Sequence, residues 1–271
     1  MTRNGGRWVE VADGVLVRRY ATLDLSLGLV VGGERCLVVD TGSDEVQGAE
    51  LAAAVREVTP LPWTAVITHA HWDHFLGTAR FTPCPVWAYE RCREEITESG
   101  EKQRAELVRH YREQGRTELA QRLAEATLVP PDRSFTDRVE LDLGDRRVVL
   151  LHPGRGHTDG DTVVHVPDAE VVFAGDLVEQ GAPPAIGPDA YPLEWPDTLD
   201  VLLRLEPRVV VPGHGDPVDR AFARTQRDEL ARLAELLRAV RAGELAVAEA
   251  LRRSPYPEEI SGPVFAGRVA G

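Results

Sequence analysis

Three histidines and an aspartate stand within six positions of the stretch THAHWDHFLG, Thr68–Gly77. The run before it, WTAVI, has the composition of a buried strand. Histidine is costly to bury, and neighbouring rings repel one another once protonated. A chain that crowds them at a strand end needs something to hold the rings neutral and together. A metal ion does both. His69 and His71 are two apart, so an extended backbone points both to one side. Asp73 and His74 follow after the turn and can face a second ion.

The rest of the chain reads as alternating strands and helices. GVLVRRYATLDLSLGLVVGGERCLVVDTG contains short β-branched runs broken by glycines, with a turn at Gly32-Gly33. SDEVQGAELAAAVREV has the spacing of a helix with an acidic first turn. WTAVITH is the next strand, and DHFLGTARF opens another helix. Residues from about 90 to 127 are charged and helical and read as an insertion that partly covers the strands. VELDLGDRRVVLLHP is a hairpin around Gly144-Asp145. The strands DTVVHVP and EVVFAGD follow, then a proline-rich loop, a short helix, the strand RVVVPGHG, and a helical segment over about 219–253. The tail SPYPEEISGPVF reads as irregular. A weak echo between the LVVDTG and AVITHAHWDH pair and the later VVFAGD and VVVPGHG pair suggests a pseudo-symmetric α/β domain.

Further metal-ligand residue types recur at strand ends: His157 in GRGHTDGD, Asp176 in VFAGD and His214 in VPGHGD. Neutral imidazole and carboxylate suit zinc first, with manganese and iron as alternatives. Seven candidates (His69, His71, Asp73, His74, His157, Asp176 and His214) exceed what one ion takes. They suit two divalent ions with a shared carboxylate. His110, His152 and His165 stand outside this pattern and read as structural.

Charge removes several function classes. The formal net charge is −13, so a nucleic-acid binder with a basic face and an electrostatic membrane binder are both disfavoured. No apolar run reaches the length of a membrane helix, and the first residues carry no secretory h-region. Cys36, Cys84 and Cys92 have no framework spacing. A cytoplasmic setting is expected. Basic residues are almost all arginine, with Lys102 the one lysine, which fits a GC-rich bacterial genome.

HAHWDH, GH, GD and PGHG, in that order after a VVDTG strand, resemble the metallo-β-lactamase-fold hydrolases over roughly Gly14 to His214. The resemblance implies one domain over 1–271, a four-layer αββα sandwich with metals at one edge between its halves. It implies that His69, His71 and His157 hold one metal, that Asp73, His74 and His214 hold the other, and that Asp176 bridges them. It gives Asp40 the role of orienting a histidine. β-Lactamases usually carry cysteine or serine where this chain has Asp176, and are usually exported. Flavodiiron proteins replace the second histidine, here His71, with glutamate. The pattern is more similar to glyoxalase II, lactonase and thioesterase members.

The implied chemistry is attack of a metal-bound hydroxide on an ester, thioester, lactone or amide carbonyl, with Asp73 orienting the nucleophile and handing on its proton. Two divalent ions less two carboxylates and one hydroxide leave a local charge of about +1. A neutral or anionic small-molecule substrate is therefore expected. The alternatives are a persulfide dioxygenase, whose single iron would sit on His69, His157 and Asp176, and a nuclease. The loop GAPPAIGPDAYPLEWP leaves the strand that carries Asp176, so one or both of Tyr191 and Trp195 are expected to line the substrate pocket, the alternative being that they fasten the loop to the core.

Overall fold

Successive residues of the central strands enter two different cores. In β3 (Ser26–Val31), Leu27 and Leu29 pack toward helices, whereas Val30 packs toward a second sheet. In β10 (Val163–Val166), Val163 faces helices and Val164 and Val166 face the first sheet. A sheet apolar on both faces must be covered on both. The computed structural model, which describes residues 5–270, satisfies this with four layers in the order helix, sheet, sheet, helix.

The first sheet has seven strands in chain order: β1 (Arg7–Ala12), β2 (Val15–Arg19), β3, β4 (Cys36–Val39), β5 (Trp63–Val66), β6 (Val86–Tyr89) and β7 (Arg133–Phe135). Its first four strands form an antiparallel meander, and β4 to β7 run parallel. The second sheet has the order β12 (Val209–His214), β11 (Val171–Glu179), β10, β9 (Arg147–Leu151), β8 (Arg138–Asp142), with only β11 and β12 parallel. Phe173 fills the space between the sheets. Gly28 opposite it must lack a side chain, because a Cβ there would lie 2.5 Å from the Phe173 ring.

Helix α1 (Glu45–Val58) starts where the Asp44 carboxylate accepts from the amides of Val46 and Gln47. The one-turn α2 (Trp72–Phe75) follows β5. The insertion forms α3 (Glu90–Glu113) and α4 (Thr117–Glu125), which bury Ile96, Val108, Leu119 and Leu123 over the first sheet. α5 (Trp195–Arg204), α6 (Arg220–Arg241), α7 (Val247–Arg253) and α8 (Glu258–Phe265) cover the second.

Four details depart from the sequence reading. β11 does not end at Asp176 but continues to Glu179, fully buried, because β12 still pairs with it, with Glu179 opposite His214. The helix read into DHFLGTARF breaks after one turn. At Gly77 the backbone docks so closely on Thr41 that a Cβ would lie 2.0 Å from the Thr41 carbonyl oxygen. The tail is helical at α8 despite Pro263, since burial of Val264 and Phe265 in the outer core outweighs the missing donor. β1 and β7 are short strands at the edges of the first sheet whose sequence pattern is weak. No helix of the described residues is long and apolar enough to cross a membrane.

Candidate metal centre

The strand ends deliver the side chains to one edge of the sandwich. Asp40 follows β4 with φ +61, a left-handed backbone that aspartate tolerates better than most residues. Its carboxylate accepts from the Thr68 amide at 2.7 Å and the Thr68 hydroxyl at 2.8 Å, which pins the start of the histidine loop. The loop then presents His69, His71, Asp73 and His74 around α2. His157 comes from the β9–β10 connection, Asp176 from within β11, and His214 from the last position of β12.

The parallel contact of β11 with β12 leaves no room beside Asp176. A Cβ on Gly213 would stand 1.8 Å from Asp176 Oδ1. Gly213→Ala is therefore expected to cost about 1–3 kcal/mol of stability by overpacking and to displace the carboxylate. A thermal melt and metal uptake both matching wild type would refute this.

Each histidine spends one ring nitrogen on an outward partner. The Thr68 hydroxyl donates to Asp40, so it accepts from His69 Nδ1, 3.0 Å away. His74 Nδ1 donates to Asp40 at 2.8 Å. His157 Nδ1 donates to the Ala185 carbonyl at 3.0 Å, and His214 Nδ1 to the Leu23 carbonyl at 2.7 Å. His71 reverses the pattern, with Nε2 donating to Asp189 at 2.8 Å. These bonds fix the ring orientations and leave four Nε2 atoms and the Nδ1 of His71 facing inward.

Inward, the donor atoms form two groups, each with its atoms within 4.8 Å of one another: His69, His71, His157 and Asp176, and Asp73, His74 and His214. Asp176 borders both. Its Oδ2 lies 3.7 Å from His69 Nε2, 3.6 Å from His157 Nε2 and 3.2 Å from His214 Nε2, and its Oδ1 lies 3.3 Å from His74 Nε2. Asp73 Oδ2 lies 3.4 Å from His214 Nε2 and 3.8 Å from His74 Nε2.

The residues present fit metal ions. His69 Nε2, His74 Nε2 and Asp176 Oδ1 are buried without a hydrogen-bond partner, a costly state for polar atoms unless a cation meets them. His71 Nδ1 and His157 Nε2 face each other at 2.8 Å. With both outward nitrogens donating, neutral rings would turn two lone pairs on one another there; a metal ion relieves this, as does a proton on His71, which burial disfavours and the neighbouring carboxylates, Asp189 first, favour more strongly. Burial and the neighbouring His74 hold His69 well below the ordinary histidine pKa, and burial with the nearby His71 brings His157 down to about 4. Both rings are thus neutral, the form that binds metal. Burial opposes charge on His214 too, but Asp176 and Asp73 outweigh it and push it up to about 12. The carboxylates here attract positive charge.

The seven candidate ligands thus lie together, and Asp40 lies beside His74. Trp195 needs correction. It is fully buried among Leu177, Leu199 and their neighbours, and its Nε1 donates to the Leu177 carbonyl at 3.1 Å. Its ring meets His157 edge-on at 5.7 Å. It backs the site from inside the core and lines no pocket. Tyr191 is half-buried and walls a cavity of about 230 Å³ together with Ala70, Gln103 and Asp189. Asp189 and Thr68 escaped the sequence reading. Thr68 directly precedes the histidine run, whereas Asp189 sits in a proline-rich loop with no pattern around it.

A four-layer sandwich with paired histidine and aspartate groups at one edge defines a class of metallohydrolases. Residues 26–214 match the family model of the metallo-beta-lactamase superfamily. The chain belongs to that superfamily. It is 30% identical over 166 residues to the acyl-coenzyme A thioesterase MBLAC2 of Gallus gallus, covering 58% of each chain, less than two thirds of that relative's length. It is 28% identical over 203 residues to a type 2 metallo-beta-lactamase of Bacillus cereus, covering 73% of this chain and 70% of the relative. Among solved structures, the metallo-beta-lactamase FIM-1 from Pseudomonas aeruginosa, in its mono-zinc form, shares the fold with a TM-score of 0.64. Identity there is 21%, covering 85% of this chain and 95% of that one.

Proposed function

We propose that this chain is a dinuclear metal-dependent hydrolase, with zinc the favoured ion, that cleaves an ester, thioester, lactone or amide in a neutral or anionic small molecule. The observation that carries this reading is the position of Asp176 between two groups of inward-facing ligand atoms, of which His69 Nε2, His74 Nε2 and its own Oδ1 have no hydrogen-bond partner. His69, His71 and His157 would hold one ion and Asp73, His74 and His214 the other, with Asp176 touching both. Ions held there would supply Lewis acidity toward a carbonyl oxygen and lower the pKa of a bound water.

The protein's own groups do the rest. Asp40, Thr68, Ala185, Leu23 and Asp189 fix the imidazole orientations, so little reorganisation accompanies reaction. Asp73 is the carboxylate placed to take a proton from the nucleophile and return it to the leaving atom. Tyr191 and the α3 residues across the cavity wall one side of the substrate space. The likeness to an acyl-coenzyme A thioesterase supports thioesters as the first substrates to try.

The test is a panel of acyl-coenzyme A thioesters, aryl esters and lactones, with and without a chelator. Hydrolysis of at least one class, abolished by the chelator and restored by zinc, is expected. Asp73→Asn should lower turnover by about 10²–10⁴-fold while the ion on His69, His71 and His157 stays bound. A single tightly held iron, with oxygen consumed on a persulfide, would defeat the two-ion reading, and metal-dependent cleavage of RNA alone would defeat the small-molecule hydrolase reading.

A further inference from the structure

We propose that Arg19 is a positioning residue for His214, acting through the backbone of Leu23 and Asp24. The proposal rests on the two-ion reading above. His214 Nδ1 is oriented by one bond, to the Leu23 carbonyl at 2.7 Å. That carbonyl is aimed by an unusual turn, since Leu23 and Asp24 both adopt left-handed backbone, with φ +61 and +53. Two consecutive non-glycine residues seldom adopt this conformation, and a branched side chain less readily than most.

The clamp that holds the turn is Arg19. Its guanidinium is almost fully buried, with 6% of the side chain exposed. One nitrogen donates to the Asp24 carbonyl at 2.5 Å and the Ser26 hydroxyl at 2.9 Å. A second pairs with the Asp24 carboxylate, and Nε donates to Asp216 at 3.1 Å. The Gly215 amide donates to the same Asp24 carbonyl at 2.8 Å, and the Ser26 hydroxyl donates to the Gly215 carbonyl at 2.9 Å. Arg19 therefore ties the turn on one side of His214 to Gly215 and Asp216 on the other. A planar fork with several fixed donors suits this role, and lysine cannot reproduce it. Nothing in the clamp reaches His69, His71 or His157, so its influence falls on one half of the centre.

Zinc calorimetry on the metal-stripped full chain tests this, with His214→Ala identifying the step that depends on His214. Arg19→Gln should weaken that step by about 10–100-fold and leave the other unchanged. Adding Leu23→Gly should restore part of the loss, because glycine adopts φ +61 without the steric cost that leucine bears there. A crystal structure of metal-free Arg19→Gln should show the Leu23 carbonyl turned away from His214. Equal weakening of both steps, no rescue by glycine, or an unmoved Leu23 carbonyl would overturn the role of Arg19. Uptake of one zinc by the wild type would instead overturn the two-ion reading, and the crystal structure would still decide the role of Arg19.

Discussion

Asp176→Ala should lose both metal and turnover. The carboxylate lies within 3.7 Å of His69, His74, His157 and His214, and its Oδ1 has no hydrogen-bond partner. Removing an outer hydrogen-bond partner of a metal ligand already costs about 10–100-fold in affinity or activity. Loss of a ligand facing both groups should exceed that for each ion. Without the carboxylate, His74 and His214 also lose the nearer of the two carboxylates that their Nε2 atoms face, and keep Asp73. Metal content by elemental analysis and turnover on the best substrate of the panel check this together. Full metal content with wild-type turnover would remove Asp176 from the centre.

Trp195→Ala should act on stability instead of specificity. The side chain is fully buried, donates to the Leu177 carbonyl and packs behind His157. Truncating such a residue typically costs about 3–5 kcal/mol, a fall in Tm of roughly 6–20 °C for a chain near this size. Tyr191→Ala should do the opposite, because Tyr191 is half-buried and walls the cavity beside Ala70 and Asp189. Its expected signature is a changed KM or substrate preference with Tm close to wild type. Thermal melts and Michaelis parameters for the two variants separate the roles. A Trp195→Ala protein with unchanged Tm and altered KM would restore that residue to the pocket wall.

The pair also shows what was legible in the sequence. Both residues are large and stand in a loop of small ones, and nothing in that pattern tells core from cavity. The difference lies in α5, whose first turn begins at Trp195 and rotates it beneath the second sheet. Helix packing is a tertiary fact, and the loop composition carries no trace of it. The ligand residues were legible for the opposite reason. Histidine and aspartate cluster at strand ends where the residue types alone make them visible, although their placement does not follow the two-residue period of extended chain, because His69 and Ala70 form a bend and Asp73 and His74 lie in α2. The four layers were readable only through the family resemblance. Once the strands are paired, however, the alternation of Leu27 and Leu29 against Val30 assigns them to opposite faces.

Outward partners of the histidines divide in the same way. Asp40 ends a strand in a recognisable VVDTG run, and the resemblance marked it. Asp189 bonds His71 across 118 positions of sequence, and Leu23 and Ala185 act through backbone carbonyls, which every residue possesses. A carbonyl's role depends on where the chain turns. At Leu23 the turn is a left-handed one that leucine does not advertise. The tail reads as irregular in the sequence, yet Val264 and Phe265 have apolar surface that α8 buries in the outer core.

The measurement that bears most directly on the two-ion centre is the metal content of the full chain purified without added metal or chelator. Elemental analysis should give close to two zinc ions per chain, falling to one in His214→Ala, whose loss dismantles the group with Asp73 and His74. One ion per chain in the wild type, unchanged in His214→Ala, would contradict it.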